Sequence, residues 1–282
     1  MLCHDESARP AEAPVATGSS YLYCVADSSE RVSLGKIGIE GNEVCTITYR
    51  DLCAVAHYCP QVSRLEDREL MKAWVLAHHK VVEVAWERWG AVLPLSFGNI
   101  IAGGLESGPE EKVFEWLKGE YETLSRRMAK VRGKAEYGVQ VFWQPKLIAS
   151  KLAEEDAEIK ALEEAVKSQP AGLAYMNRQR LENLVKRKME NKADECFKDF
   201  HNLIRNHVED IHIEKEKRKK AETGLPMLLN LSCLVSQGKY KDLGEALESI
   251  NRREGVSVRF TGPWPPYSFV AKPVVPVKEE VK

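Results

Sequence analysis

The sequence has no closely paired cysteines, no apolar run long enough to span a bilayer and almost no net charge. Its seven cysteines, Cys3, Cys24, Cys45, Cys53, Cys59, Cys196 and Cys233, are an odd number at wide spacings with no Cys-x-x-Cys. Structural zinc and iron-sulfur sites draw on close pairs, and disulfide frameworks belong to short secreted chains, so these read as reduced thiols. Lys plus Arg number 41 against 42 Asp plus Glu, a formal net charge of −1. No global field therefore steers the chain to nucleic acid or to an anionic membrane. Arg9, Pro10 and Pro14 stand where a signal peptide needs a continuous apolar core, which predicts a cytoplasmic protein. Catalytic patterns are also missing. Gly35, Gly38 and Gly41 are evenly spaced, yet no Gly-Lys-Ser/Thr follows them, and Gly41-Asn42 is turn chemistry. His78, His79 and Glu83 lie on one helical stretch, but no His-Glu-x-x-His and no third ligand accompany them. The expectation is a protein with no enzymatic activity, no metal, no cofactor and no small-molecule substrate.

What is present suits two α+β domains. At 282 residues with 44% apolar side chains, the chain exceeds one small core. Residues 1–20 are rich in Ala, Pro, Ser and Thr and read as a disordered tail. Residues 21–132 read as an N-terminal α+β domain: β-prone runs at Tyr21 to Val25, Val44 to Tyr49 and Leu52 to Tyr58, a helix, a strand and a second helix. Ser63-Arg64-Leu65-Glu66 has the form of a capping box. The stripe Leu70, Trp74, Ala77, Val81, Val84 and Arg88 then predicts an amphipathic helix closed by Gly90. Val92 to Gly98 contains Pro94 and reads as an edge or bulged strand. Glu110 to Val131 reads as one further helix.

Residues 133–270 read as a C-terminal ferredoxin-like domain with a helical insertion at about 145–222. Its strands are expected at Ala135 to Trp143, at Leu225 to Val235 in a central position, and at Val256 to Thr261; a short helix covers Asp242 to Arg253. Ile148 to Val166 reads as helical. From Leu173 to Lys220 runs a helical pattern of roughly 70 Å if unbroken, with a break expected near Asn206-His207. Lys215 to Lys220 fit the carbonyl end of a helix, where cations complement the dipole. Beyond Thr261, Pro263, Pro265 and Pro266 remove ladder donors, so the strand should stop and leave an extended strap carrying Trp264, Tyr267 and Phe269. Burial of Trp264 against its own domain is the expectation; a proline-rich ligand for another protein's groove is the alternative. Residues 271–282 read as a loose tail.

Four segments resemble one family. Gly262-Pro263-Trp264-Pro265-Pro266-Tyr267-Ser268-Phe269 after a short strand is the most specific. The others are Leu93-Pro94-Leu95-Ser96-Phe97-Gly98, Glu136-Tyr137-Gly138-Val139, and Gly172-Leu173-Ala174-Tyr175. In this order, across roughly Tyr21 to Phe269, the chain resembles the gas-vesicle accessory protein F/L family. That family usually carries an arginine where this chain has Ser96. The resemblance implies a gas-vesicle accessory or minor structural protein, associated with the vesicle and contacting the small shell protein or other accessory proteins. It makes Leu93, Pro94, Phe97, Gly98, Glu136, Tyr137, Gly138, Gly172, Tyr175, Gly262, Pro263, Trp264, Pro265, Pro266, Tyr267 and Phe269 the expected motif and interaction residues. An RNA-binding or adaptor protein is the alternative, although the strands lack the aromatic Gly-Phe-x-Phe signature that stacks bases.

Overall fold

The computed structural model describes residues 18–59, 67–104, 107–214 and 224–270. It is mixed helix and sheet and divides into two compact units, one of Met1–Arg132 with Val270–Lys282, the other of Gly133–Phe269. Residues 1–17 of the tail expected over 1–20, the expected tail at 271–282, the expected cap at 63–66 and the basic run at 215–220 lie outside the described residues.

The first unit is built on a sheet of strands β1 (Ser19–Ala26), β2 (Ser33–Gly35), β3 (Val44–Tyr49), β4 (Leu52–Cys59), β5 (Val92–Pro94) and β6 (Ile100–Ala102). Their order is β2-β3-β4-β1-β5, with β6 also pairing β1. Order begins before Tyr21, because Ser19 and Ser20 are buried partners of Cys59 and Tyr58. Helix α1 (Arg68–Trp89) starts at the side chain of Asp67, which accepts from the amides of Glu69 and Leu70, and closes on Gly90 in the left-handed region.

The buried stripe of α1 is His78, Val81, Val82 and Ala85, rotated from the expected one; Leu70 is exposed. The expected span from Glu110 to Val131 is two helices, α2 (Pro109–Gly119) and α3 (Tyr121–Val131), broken where Glu120 leaves helical geometry. These helices lie over one face of the sheet, where Leu22, Ala54, Ala56 and Leu93 meet Val113, Leu117, Leu124 and Met128. The opposite face, carrying Tyr21, Tyr23 and His57, packs on α1. The central strands β1 and β4 are thus covered on both sides, while the β3–β4 end opens on a depression of about 510 Å3 beside exposed Cys45 and Tyr58.

In the second unit β7 (Lys134–Trp143) leads into α4 (Pro145–Glu155), α5 (Ala157–Ser168) and α6 (Ala171–Arg205). The expected helix over Ile148 to Val166 is broken at Asp156, whose carboxylate caps α5 through the amides of Glu158 and Ile159. Helix α6 is a single 35-residue helix, about 50 Å long. The predicted break at Asn206-His207 holds. Beyond it the chain forms no further turn of that helix but a strand, β8 (Asp210–Ile213). Four residues are too few to distinguish period two from a helical stripe in sequence, and pairing decides: Ile211 lies opposite Cys233 and Ile213 opposite Leu231 on β9 (Met227–Ser236). Helix α7 (Tyr240–Asn251) and β10 (Val256–Trp264) complete the unit.

The sheet order is β10-β7-β9-β8 with every neighbour antiparallel. Tyr137, Val139, Val141, Leu231 and Cys233 lie on one face with Phe260, the side covered by α6 and α7. On the other face stand Glu136, Gly138, Gln140, Asn230, Ser232, Arg259 and Thr261, around an open depression of about 440 Å3.

Candidate interaction site

Strand β10 does not end at Thr261. It passes a bulge at Gly262 and Pro263 and recovers pairing at Trp264, opposite Glu136. Glycine is required at the bulge: Gly262 has φ +117, and a Cβ there would sit 2.8 Å from the carbonyl oxygen of Glu136. Gly138 is crowded by a side chain only: its Cβ would fall 2.6 Å from Oγ1 of Thr261, which would have to move. The Glu-Tyr-Gly and Gly-Pro-Trp-Pro-Pro segments, over a hundred positions apart in sequence, are therefore two sides of one strand pair.

The strap then turns back over the polar face. Pro265 and Pro266 are buried, and Tyr267 to Phe269 form a short 3-10 turn. Ser268 is the latch: its amide donates to Oε2 of Glu136 at 2.8 Å and its hydroxyl to Oε1 at 2.7 Å. That hydroxyl also lies 3.1 Å from Oγ of Ser232 and 3.3 Å from Oε1 of Glu214, to which Ser232 donates at 2.9 Å. Glu136 is almost fully buried, so these bonds replace the water it has lost. The strap thus ties β7, β9 and the end of β8 together across a face that no helix covers among the described residues.

Trp264 is not part of a buried strap. It is 49% exposed, on the edge strand beyond the bulge. Phe260 stacks on Tyr137 at 5.2 Å and is also partly open. Gly172 and Tyr175 lie in the first turns of α6; Tyr175 is exposed, and a Cβ at Gly172 would meet nothing within 4 Å, so glycine is not sterically required there.

Leu93 and Pro94 belong to the first unit, buried in β5. Phe97 and Gly98 are fastened to a buried polar network on the α1 side. Tyr21 Oη accepts from the amide of Gly98 at 3.1 Å and lies 2.9 Å from Nδ1 of His78. Nε2 of His78 is 3.1 Å from the carbonyl oxygen of Leu95. A carbonyl only accepts, so His78 carries its proton on Nε2 and takes the tyrosine hydrogen on Nδ1. Tyr23 likewise accepts from the amide of Ile39 and faces Nδ1 of His57 at 2.8 Å. Phe97 packs edge-on against Tyr21 and His78.

Burial lowers both histidines from 6.5 to about 4 and raises Tyr21 to about 12, with Tyr23 pushed up further. Burial also raises Cys53 and Cys233 to about 12 and Cys24 well above its ordinary value. At neutral pH these are uncharged side chains that fill and brace a core, and the buried thiols are not nucleophiles. Among the described residues no three His, Cys, Asp or Glu side chains converge as metal ligands would, and no helix is long and apolar enough to cross a membrane.

The family model described as gas vesicle synthesis protein GvpL/GvpF matches residues 19–271. The chain belongs to the GvpL/GvpF family. Gas vesicle protein L1 of Halobacterium salinarum is 27% identical over 271 residues, 94% of this chain and 95% of that one. Gas vesicle protein L of Haloferax mediterranei is 27% identical over 236 residues, 82% of this chain and 72% of its own length. The crystal structure of GvpF from Anabaena sp. PCC7120 shares the fold, with a TM-score of 0.71 at 18% identity, covering 90% of this chain and 98% of that one. GvpF from Microcystis aeruginosa superposes with a TM-score of 0.62 at 16% identity. Within a GvpL/GvpF chain the segments singled out in sequence thus have mostly architectural duties: a strand pair and its strap in one unit, a buried strand and its exit loop in the other. Sequence reasoning missed Ser232 and Glu214 as partners of the strap, and Tyr23 with His57. No local pattern links residues so far apart; only a serine inside a Pro-Pro-Tyr-Ser-Phe strap hinted at a fastening.

Proposed function

We propose that this member of a gas-vesicle family works in vesicle assembly by binding, without turnover, as a cytoplasmic protein that contacts the small shell protein or other accessory proteins. The family match across residues 19–271 carries this reading. The second unit supports it physically. We read that unit as a ferredoxin-like domain, on its strand order β10-β7-β9-β8 and its β-α-β-β-α-β sequence of elements. Its polar sheet face is uncovered by helices, its edge strand carries exposed Phe260 and Trp264, and α6 is longer than four strands need for cover. Edges and open faces of this kind are where chains add strands or dock helices. The first unit, with helices on both sides of its central strands, acts as the support.

Deleting the gene in a vesicle-forming host should abolish or deform vesicles in electron micrographs, and the purified protein should capture at least one vesicle protein. Normal vesicles together with no capture would end this reading. Tight, salt-dependent RNA binding by the same preparation would promote the RNA-binding alternative.

A further inference from the structure

Helix α6 carries a stripe that its own unit buries only at Leu184. Leu173, Met176, Arg180, Leu184 and Arg187 succeed one another at three- and four-residue steps and so share one face. Leu173 and Met176 are 54% and 53% exposed. Further along, α6 and α5 border a groove of about 610 Å3, floored by Leu162 and Leu184 and flanked by Arg180 and Arg187. The two arginines stand seven residues apart, about 10 Å along the axis.

The charges around this groove are unevenly matched. Lys188, the next cation on α6, is paired at 2.7 Å with Asp156, and Glu158 on the groove wall lies 3.6 Å from the same lysine. Arg180 and Arg187 pair with no carboxylate among the described residues. Two uncompensated guanidinium groups two helical turns apart, beside an apolar floor and two exposed aliphatic side chains, complement a second helix of matching period.

We propose that the α5–α6 groove, extended by Leu173 and Met176, docks an amphipathic helix of a partner protein that presents two carboxylates seven residues apart beside an apolar stripe. The proposal rests on the binding role proposed above and names its surface and the partner's chemistry. Phosphate chains would satisfy the arginines but leave the aliphatic end of the stripe uncovered, which favours a protein helix over nucleic acid.

The test uses the full-length protein and two synthetic helical peptides of about 20 residues, long enough to hold a helix. They share one apolar stripe; one bears glutamates seven apart, the other lysines at the same places. The acidic peptide should bind and the basic one should not, and added salt should weaken the complex. Arg180→Glu with Arg187→Glu should weaken acidic-peptide binding at least about tenfold and admit the basic peptide, while an unchanged circular dichroism spectrum shows that the fold survives. Equal binding of both peptides, or no effect of the double reversal, overturns the proposal. So does stoichiometric displacement of the peptide by single-stranded RNA, or concentration-dependent self-association that the reversal abolishes, which would give the groove to nucleic acid or to a second copy. Capture of vesicle proteins that survives the double reversal would remove the groove and leave the binding role standing. Peptide binding without capture of any vesicle protein would do the reverse.

Discussion

The two sheets of this chain are finished in opposite ways. In the first unit helices cover both sides of the central strands, and the buried polar side chains of Tyr21, Tyr23, His57 and His78 are paired with one another and with the backbone. In the second unit helices seal one face; the other keeps a row of polar side chains, crossed only by a strap latched through Ser268. A sheet covered on both sides of its central strands presents little apart from the depression at its β3–β4 end, and contributes rigidity. A half-sealed sheet with a free edge and an overlong helix retains surface for a partner.

If this contrast is right, acid should strike the first unit hardest. His57 and His78 are held neutral, their folded values about 4 against 6.5 when unfolded. Between those values the unfolded chain takes up protons that the folded chain refuses, so stability is whole above about pH 6.5 and is lost as pH falls toward 4. The loss should reach about 3 kcal/mol per histidine. Denaturant unfolding at pH 7 and pH 4.5 measures it. His57→Gln, which keeps a group able to meet Tyr23, should flatten the slope; an unchanged slope would mean that burial of His57 is not the cause.

In the second unit the contrast is broken at the latch. Ser268→Ala removes one donor from a buried carboxylate and should cost about 1 to 3 kcal/mol, read as a lower denaturation midpoint. Glu136→Ala in the Ser268→Ala background should add less than it does alone, because both act on one network. Strict additivity would show that the strap is held elsewhere.

Trp264→Ala should do least, about 1 kcal/mol or below, because half of the ring is already in water. A loss of several kcal/mol would restore the buried strap that the sequence suggests.

That last case marks where sequence was and was not enough. The helix ending at Gly90, the interruption at Asn206 and the central apolar strand β9 were legible because caps, polar breaks and continuous apolar runs are local signals. Strand β8 was not, because four residues after a long helix carry no period of their own and owe their form to β9. Nor was the fate of Trp264, because prolines stop a ladder only where the lost amide was needed. At the outer edge of a sheet it is not, and β10 runs on through a bulge. The motif segments meet their partners, Glu136 with Ser268 and Gly98 with Tyr21, through pairings set by topology. Sequence marked those segments without revealing what each one holds.

The most direct test of the division of labour is restoration of vesicles in a host lacking the gene. Two full-length variants carry the same change of charge: Arg180→Glu with Arg187→Glu on the second unit, and Lys36→Glu with Lys118→Glu on exposed positions of the first. With both proteins present at wild-type levels, the first-unit variant should restore vesicles in electron micrographs and the second-unit variant should not. Full restoration by the second-unit variant, or equal failure of both, would contradict the account.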